Sequence, residues 1–455
     1  MNDWCKILCD FAEQTKYNTL PDSVIKCVKA FITDYFAASI AGYRINSDFN
    51  TVLLKLLIEQ GGNEQSSVLF SNKKYPVAQA AFMNAIYAHG ADMDDGNKKS
   101  AGHIGTHVIP SVFALAEHRG CSWGDVIVSI VIGYDFFNRI AGAAQPSLYT
   151  KGFHSTGVAG SIACAAACAK LLNLDSQGIY NSVGIAALQS SGLIIIDESA
   201  QHCKPINAAN AARIGILSAL IAEKGIEGPI NPLESSKGWF HAYSDEINKD
   251  ILLNNLGLDF TIEESYIKQY PSCRHTHCCI DAIKDIKESL TKRCFTYQDI
   301  ESINVFIYPN AIKSAGRIMY PQNSGEAKFS IHYAIAKTLL NGTFSLNDLA
   351  PDYGFPVSSV IEKIRLIPDE SMENRNAGIR GCHIIVALKN GEQIEKTIPV
   401  PKGEGKDFLT WKDLNDKMIS CAQGILTKKE CTDIIEQCRN INSNNKYKPI
   451  EIRTL

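Results

Sequence analysis

Three consecutive apolar runs between residues 156 and 224 most constrain what this chain can fold into. Thr156 to Leu172, Gln177 to Ser190 and Ala208 to Lys224 are built largely from Ala, Gly, Ser and Cys. They are too long for ordinary strands and predict helices. Side chains this small set a short distance between packed helix axes. Helical patterning extends upstream as well. A short amphipathic helix is predicted over residues 4–16. A second helix runs from Asp22 to Ala41, with Pro21 before it and Gly42 as its stop. Further helices are expected over 51–60, from Val77 to Ala88 and from Val108 to Glu117. The S-x-x-D signal Ser122-Trp-Gly-Asp125 caps a long apolar helix through Ile140. Up to about residue 260 no segment alternates strongly enough to read as a strand.

The pattern changes near Tyr266. After a helix from Thr276 to Ser289, Ile300 to Tyr308 alternates with period two and reads as a strand. Lys363 to Ile367, Gly381 to Leu388 and Gln393 to Val400 follow as strands, and Asn390-Gly391 between the last two is a hairpin turn signal. Residues 326–341 read as one helix. Helical pattern returns at Thr410 to Cys421 and Lys428 to Arg439. The expectation is an α+β protein. Residues 1–265 and 406–455 form a large all-helical domain, and 266–405 an inserted, smaller α/β domain.

Composition narrows the function classes. A 45% apolar, 20% charged chain of 455 residues suits a globular protein with two domains. A net charge of −3 gives no electrostatic footing for nucleic acid or an anionic membrane. The fifteen cysteines lack paired C-x-x-C spacing, so neither a disulfide framework nor a zinc site is predicted. No basic segment followed by a long apolar core opens the chain, and the expected compartment is the reducing cytoplasm.

Chemistry concentrates in five clusters. The first, His89 to Pro110, packs three histidines, three carboxylates and two lysines into a glycine-punctuated segment between two helices. The others are Lys151-Gly-Phe-His154-Ser-Thr-Gly157, His202-Cys-Lys204-Pro-Ile-Asn207, Tyr270-Pro-Ser-Cys-Arg274-His275-Thr-His277, and Gly325-Glu-Ala-Lys328-Phe-Ser330. Taken singly, each has a bland explanation: a solvated loop, a cap-like histidine, a solvated lysine. Four of the five begin or lead into a helix, and three set histidine beside Lys or Arg. Such a set fits proton transfer next to a bound polycarboxylate. A guanidinium such as that of Arg274 can grip a carboxylate through two N–H donors. No phosphate-loop or dinucleotide signature occurs, so no nucleotide cofactor is expected. His103 and His107 are spaced i, i+4 but lack the glutamate of H-E-x-x-H, and Pro110 is expected to limit their helix.

These motifs resemble those of the MmgE/PrpD family, which includes 2-methylcitrate dehydratase, cis-aconitate decarboxylase and iminodisuccinate epimerase. The matching residues are H-G-A-D-M-D-D-G (89–96) with G-H (102–103) and V-I-P (108–110), G-F-H-S-T-G (152–157), C-K-P-I-N-A-A-N-A-A (203–212), Y-P-S-C-R-H-T-H (270–277) and E-A-K-F-S (326–330). They occur in the family's order across nearly the whole chain. The resemblance implies a helical domain from both chain ends, an α/β lid domain, a homodimer and an active site in the cleft between domains. It also implies no metal and no organic cofactor. By motif match, Asp92, His103, His154, Lys204 and His277 fall on the family's active-site positions, and Tyr320 on a tyrosine ahead of E-A-K-F-S. The sequence departs at Gly96 and Asn97, at Ile104 and at Ser155, where the family commonly has Thr or Gly-His, proline, and proline.

The resulting expectation is a cofactor-independent lyase that dehydrates or decarboxylates a small di- or tricarboxylate. His103 and His154 are its acid/base groups, and Asp92 orients a histidine or lysine. Lys204, Arg274, His277, Lys328 and Tyr320 bind substrate or stabilise negative charge. An epimerase using two-sided proton transfer, a zinc hydrolase and a non-catalytic carboxylate binder are the rivals. Solvent deuterium exchange, metal analysis and turnover assays separate them.

Overall fold

The computed structural model describes residues 3–195, 203–374, 379–405 and 408–452. The chain divides into two compact units, Met1–Ile267 with Thr410–Leu455, and Lys268–Leu409. The first unit is helical, and the described residues have an α+β architecture throughout.

Six helices carry the argument in the first part of the chain: α1 (Asp22–Ile45), α2 (Val77–Gly90), α3 (Gly105–Arg119), α4 (Trp123–Ala143), α5 (Ser155–Leu171) and α6 (Pro205–Glu223). Every residue of α5 except Lys170 is buried, and it packs against α3, α4 and α6. Small side chains make this possible. A methyl group on Gly215 of α6 would collide with Cys164 of α5, and one on Gly133 of α4 would lie 2.5 Å from Val108 of α3. The capping box at Ser122 forms as expected, with the Ser122 hydroxyl accepting the Asp125 N–H at 3.1 Å. Helix α4 has the length and hydropathy of a membrane span, yet every residue of it except Asp125 is buried within this unit.

Two expected helix limits move, each for a packing reason. Gly42 does not stop α1, which continues to Ile45, and a side chain at this position would strike the Tyr87 carbonyl of α2. The glycine serves a backbone crossing rather than a cap. Pro110 lies inside α3 rather than limiting it. Since α3 begins at Gly105, the proline forfeits just the bond that its N–H would have made one turn back, near the helix start.

The second unit contains a four-stranded sheet of β1 (Ile300–Ile307), β2 (Ile364–Pro368), β3 (Cys382–Leu388) and β4 (Gln393–Ile398), in the order β4-β3-β1-β2. β1 and β2 pair in parallel, and the other two pairings are antiparallel. The Asn390-Gly391 turn joins β3 to β4, with Gly391 at φ 89°. Helix α7 (Arg274–Lys292) packs on β3 and β4. The helix expected over 326–341 is broken in two, Ser324–Ala327 and Ile331–Asn341. Ser330 leaves the helical conformation and caps the second piece by accepting the Tyr333 N–H at 3.1 Å. Lys328 therefore sits at the break rather than on a continuous apolar helix.

Back in the first unit, helix α8 (Trp411–Cys421) packs against α1.

Gly215→Ala would remove a helix penalty of about 1 kcal/mol. It should nevertheless destabilise the protein, because overpacking typically costs about 1–3 kcal/mol. Urea unfolding should show a lower midpoint at unchanged slope. A higher midpoint would mean that α5 and α6 can separate freely.

Candidate active site

The segment between α2 and α3 is held in place by its own carboxylates and by residues distant in sequence. Asp95 is buried, accepting the Gly105 N–H at 2.9 Å and the Tyr134 hydroxyl at 2.6 Å. Burial pushes its carboxyl up to about 8, helped by Asp94 and Asp34 nearby. At neutral pH it is largely an uncharged acid anchoring the start of α3. Asp95 and Gly96 also pair with Ile267 and Tyr266 in a two-residue antiparallel ladder. Asp92 adopts φ 54°, in the left-handed region, which costs a non-glycine residue roughly 1–2 kcal/mol. The next residue is braced by the far end of the chain, where Lys417 of α8 donates to the Met93 carbonyl at 2.7 Å and pairs with Asp34 of α1. Both charged side chains are almost fully buried.

Asp94 organises two histidines. One of its oxygens, Oδ2, lies 3.1 Å from His89 Nδ1 and 2.8 Å from His103 Nδ1. Burial raises the Asp94 carboxyl, but the two imidazoles and their hydrogen bonds outweigh this and hold it well below the usual range. His103 Nδ1 also lies 2.8 Å from the Asp95 carbonyl oxygen. A carbonyl and a carboxylate oxygen can only accept, so the proton sits on Nδ1 and the His103 Nε2 lone pair is available. Burial drives His89 down to about 4 despite the neighbouring Asp94, so it is neutral.

His154 has the opposite tautomer. It occupies the cap position of α5, its backbone N–H bonded to the Gly192 carbonyl at 3.0 Å. The Asn207 amide nitrogen lies 2.9 Å from His154 Nδ1 and 3.2 Å from the Leu193 carbonyl. The carbonyl can take only an N–H, which fixes the amide orientation and makes Nδ1 an acceptor. A neutral His154 therefore carries its proton on Nε2. Burial, reinforced by the Lys204 charge, keeps this imidazole well below the normal histidine range. The ring of His89 lies 4.9 Å from that of His103 and 6.2 Å from that of His154.

Lys204 caps α6 and pairs with Asp92 at 2.9 Å. The carboxylate explains why a lysine is tolerated at a helix end that favours anions. Asp92, His103, His154 and Lys204 thus come together in the helical unit, together with His89, Asp94 and Asn207, which lie in the sequence clusters but received no individual role there. Asn207 follows Lys204 by three residues and so shares its face of α6, a spacing that could have marked it. His202 lies outside the described residues. His107 points elsewhere, its Nε2 packing where a side chain on Gly160 would reach within 2.8 Å.

The second unit arranges its candidates around the start of α7. Arg274 donates to the carbonyls of Lys402 and Pro401 at 3.1 and 3.2 Å, and pairs with Glu404 at 3.3 Å. It also reaches His277 Nδ1 at 3.2 Å, while His277 Nε2 donates to the Ser272 carbonyl at 3.2 Å. The Lys328 carbonyl accepts the Cys273 N–H at 2.8 Å, and the lysine is buried. Tyr320 is 38% exposed, its ring 5.7 Å from that of Tyr353.

Residues 6–251 match the MmgE/PrpD N-terminal domain and residues 270–441 the MmgE/PrpD C-terminal domain. The chain belongs to the MmgE/PrpD family. It is 26% identical to cis-aconitate decarboxylase of Homo sapiens over 445 residues, covering 94% of this chain and 89% of that protein. It is 24% identical to the cis-aconitate decarboxylase-like protein oryM of Aspergillus oryzae over 417 residues, 87% of this chain and 86% of that one. A cis-aconitate decarboxylase of Aspergillus terreus is 28% identical over 296 residues, 62% of this chain and 59% of that one. These relatives support an MmgE/PrpD lyase.

Lys417 is expected to matter for activity beyond its contribution to the fold. Lys417→Met alone strands the buried Asp34 charge, which typically costs about 3–5 kcal/mol. The double variant Asp34→Asn/Lys417→Met removes the unpaired charge but not the lost bond to Met93. Its melting temperature should recover toward wild type while kcat stays at least about 10-fold low, since small misplacements of catalytic groups cost up to about 100-fold. Full recovery of kcat with stability would make Lys417 a purely structural group.

Proposed function

We propose that this MmgE/PrpD protein is a cofactor-independent lyase that decarboxylates a small tricarboxylate of the cis-aconitate type by histidine acid/base chemistry. The observation that carries the reading is the pair of complementary imidazoles. His103 offers a lone pair on Nε2, backed by the Asp94 carboxylate. His154 offers an N–H on Nε2, backed by the Asn207 amide. The named activity of the relatives supports decarboxylation over dehydration.

Loss of carbon dioxide leaves an electron pair on carbon, delocalised toward a neighbouring carboxylate, and this carbanion must gain one proton. His103 delivers that proton from Nε2, after taking it up there from solvent. His154, kept neutral by burial and protonated on Nε2, donates a hydrogen bond to the carboxylate onto which the charge spreads, and keeps its own proton. Lys204 offsets the negative charge that builds in the transition state, and Asp92 holds the lysine in position. The Asp94 carboxylate offsets the charge on His103 while it carries the extra proton, and His103 is neutral again after the transfer, so each cycle consumes one solvent proton and releases one carbon dioxide. Arg274, His277, Lys328 and Tyr320 are assigned to substrate recognition on residue chemistry and motif position.

Positioned acid/base groups typically contribute about 100- to 10,000-fold to rate. His103→Ala and His154→Ala should each lower kcat by that order on cis-aconitate, with circular dichroism unchanged. Asn207→Leu should also lower kcat, because it frees His154 to adopt the wrong tautomer. Arg274→Ala should raise KM more than it lowers kcat. Near-wild-type kcat in both histidine variants would reduce the family membership to a statement about fold.

We also propose that the protein is a homodimer joined through the helical unit. Leu217 and Ile221 support this, since they lie one turn apart on α6 and are 41% and 38% exposed. Light scattering at micromolar concentration should give twice the chain mass, and a monomer mass would refute it.

A further inference from the structure

We propose that His89, Asp92, Asp94 and His103 also form a binding site for a borderline transition-metal dication of the Zn²⁺ class, and that its occupancy switches the enzyme off. The inhibition rests on the acid/base reading above, whereas the metal site stands on geometry alone.

One ligand atom from each of the four residues lies within 4.8 Å of all the others. Tetrahedral zinc holds nitrogen and oxygen ligands at about 2.0–2.2 Å, which sets neighbouring ligand atoms roughly 3.3–3.6 Å apart. The Asp94 oxygen is already 2.8 Å from His103 Nδ1 and 3.1 Å from His89 Nδ1. Opening those gaps by a few tenths of an ångström makes room for the ion. Two carboxylates neutralise the dication, and two imidazoles complete a donor set suited to zinc. Asp94 Oδ1 and His89 Nε2 are buried with no partner among the described residues, so the cluster leaves hydrogen-bonding capacity unused. His103 is the most exposed of the four metal donors, with 14% of its side chain reachable from solvent, and marks the entry side.

Binding disables the proposed chemistry in two ways. A metal on His103 Nδ1 drives that proton to Nε2, where the lone pair needed for proton acceptance is lost. Ligation of Asp92 takes its carboxylate from Lys204, which then faces the ion as a like charge. The Nδ1–H bonds of His103 and His89 break as each proton moves to Nε2, and no redox change occurs. The ion exchanges for hydrogen bonds and for the lysine contact.

The full-length protein is stripped with EDTA, dialysed, and titrated with Zn²⁺ by calorimetry and with Co²⁺ by visible absorption, without substrate. One equivalent per chain should bind, with an intense tetrahedral Co²⁺ spectrum that Zn²⁺ abolishes. His89→Gln and Asp94→Asn should each weaken binding at least tenfold, whereas His118→Gln on the exposed surface should not. In parallel, Zn²⁺ should inhibit turnover and EDTA restore it. Absence of the tetrahedral band in the wild-type protein overturns the proposal even if a variant misfolds. So does a sulfur-to-cobalt charge-transfer band, which would assign the ion to the buried Cys278, Cys279 and Cys382 cluster. Metal binding by a protein that does not turn over a tricarboxylate would leave the site intact and sink the lyase reading instead.

Discussion

A carboxylate taken out of water must be compensated, and Asp94 is compensated by two imidazoles on a single oxygen. That arrangement fixes the His103 tautomer, and through it which ring nitrogen can receive a proton. It also fixes the backbone, because Asp92, Asp94 and Asp95 are consecutive or nearly so and their side chains have three different destinations. Asp92 goes to Lys204, Asp94 to the histidines, and Asp95 to Gly105 and Tyr134. Adjacent aspartates serve a charge, a hydrogen-bond hub and a neutral anchor because each meets a different environment. The left-handed Asp92 is part of how the chain achieves this divergence, and the Lys417 bond to Met93 opposes its relaxation.

The helices supply the rigidity that this loop lacks. Close approach of α5 and α6 brings their starting residues, His154 and Lys204, into the same neighbourhood. The Asn207 bond to His154 ties the two helices together at that point. Small residues in the helix interiors thus set the positions of His154 and Lys204 at the helix ends. A bulkier seam would spread the axes and part the imidazole from its amide.

Electrostatics divide the labour among three histidines of one chemical type. His89 is neutralised by burial and serves as a second donor to Asp94. His154 is depressed by burial and by Lys204. His103 sits nearer solvent than the other two. The sequence offers three identical side chains, and the differences among them come from depth and neighbours.

By itself, the sequence determined the α+β class, most helices and strands to within a few residues, and the ionisable groups. Periodicity and capping are local signals: Ser122 and Asp125, the Asn390-Gly391 turn and the 428–439 helix all depend on residues within one turn of each other. The motifs likewise named Asp92, His103, His154 and Lys204, because their types and order are written in the chain. Tertiary structure decided what those groups pair with. Gly42 lies inside a helix where a side chain would strike Tyr87, 326–341 splits where Ser330 caps its second piece, and Arg274 and His277 hydrogen-bond to the carbonyls of Lys402 and Ser272. Lys417 reaches Met93 across more than 300 positions of sequence. Contacts of that span leave no periodic trace, and the tautomers they impose on His103 and His154 exist only once Asp94 and Asn207 have been folded against them.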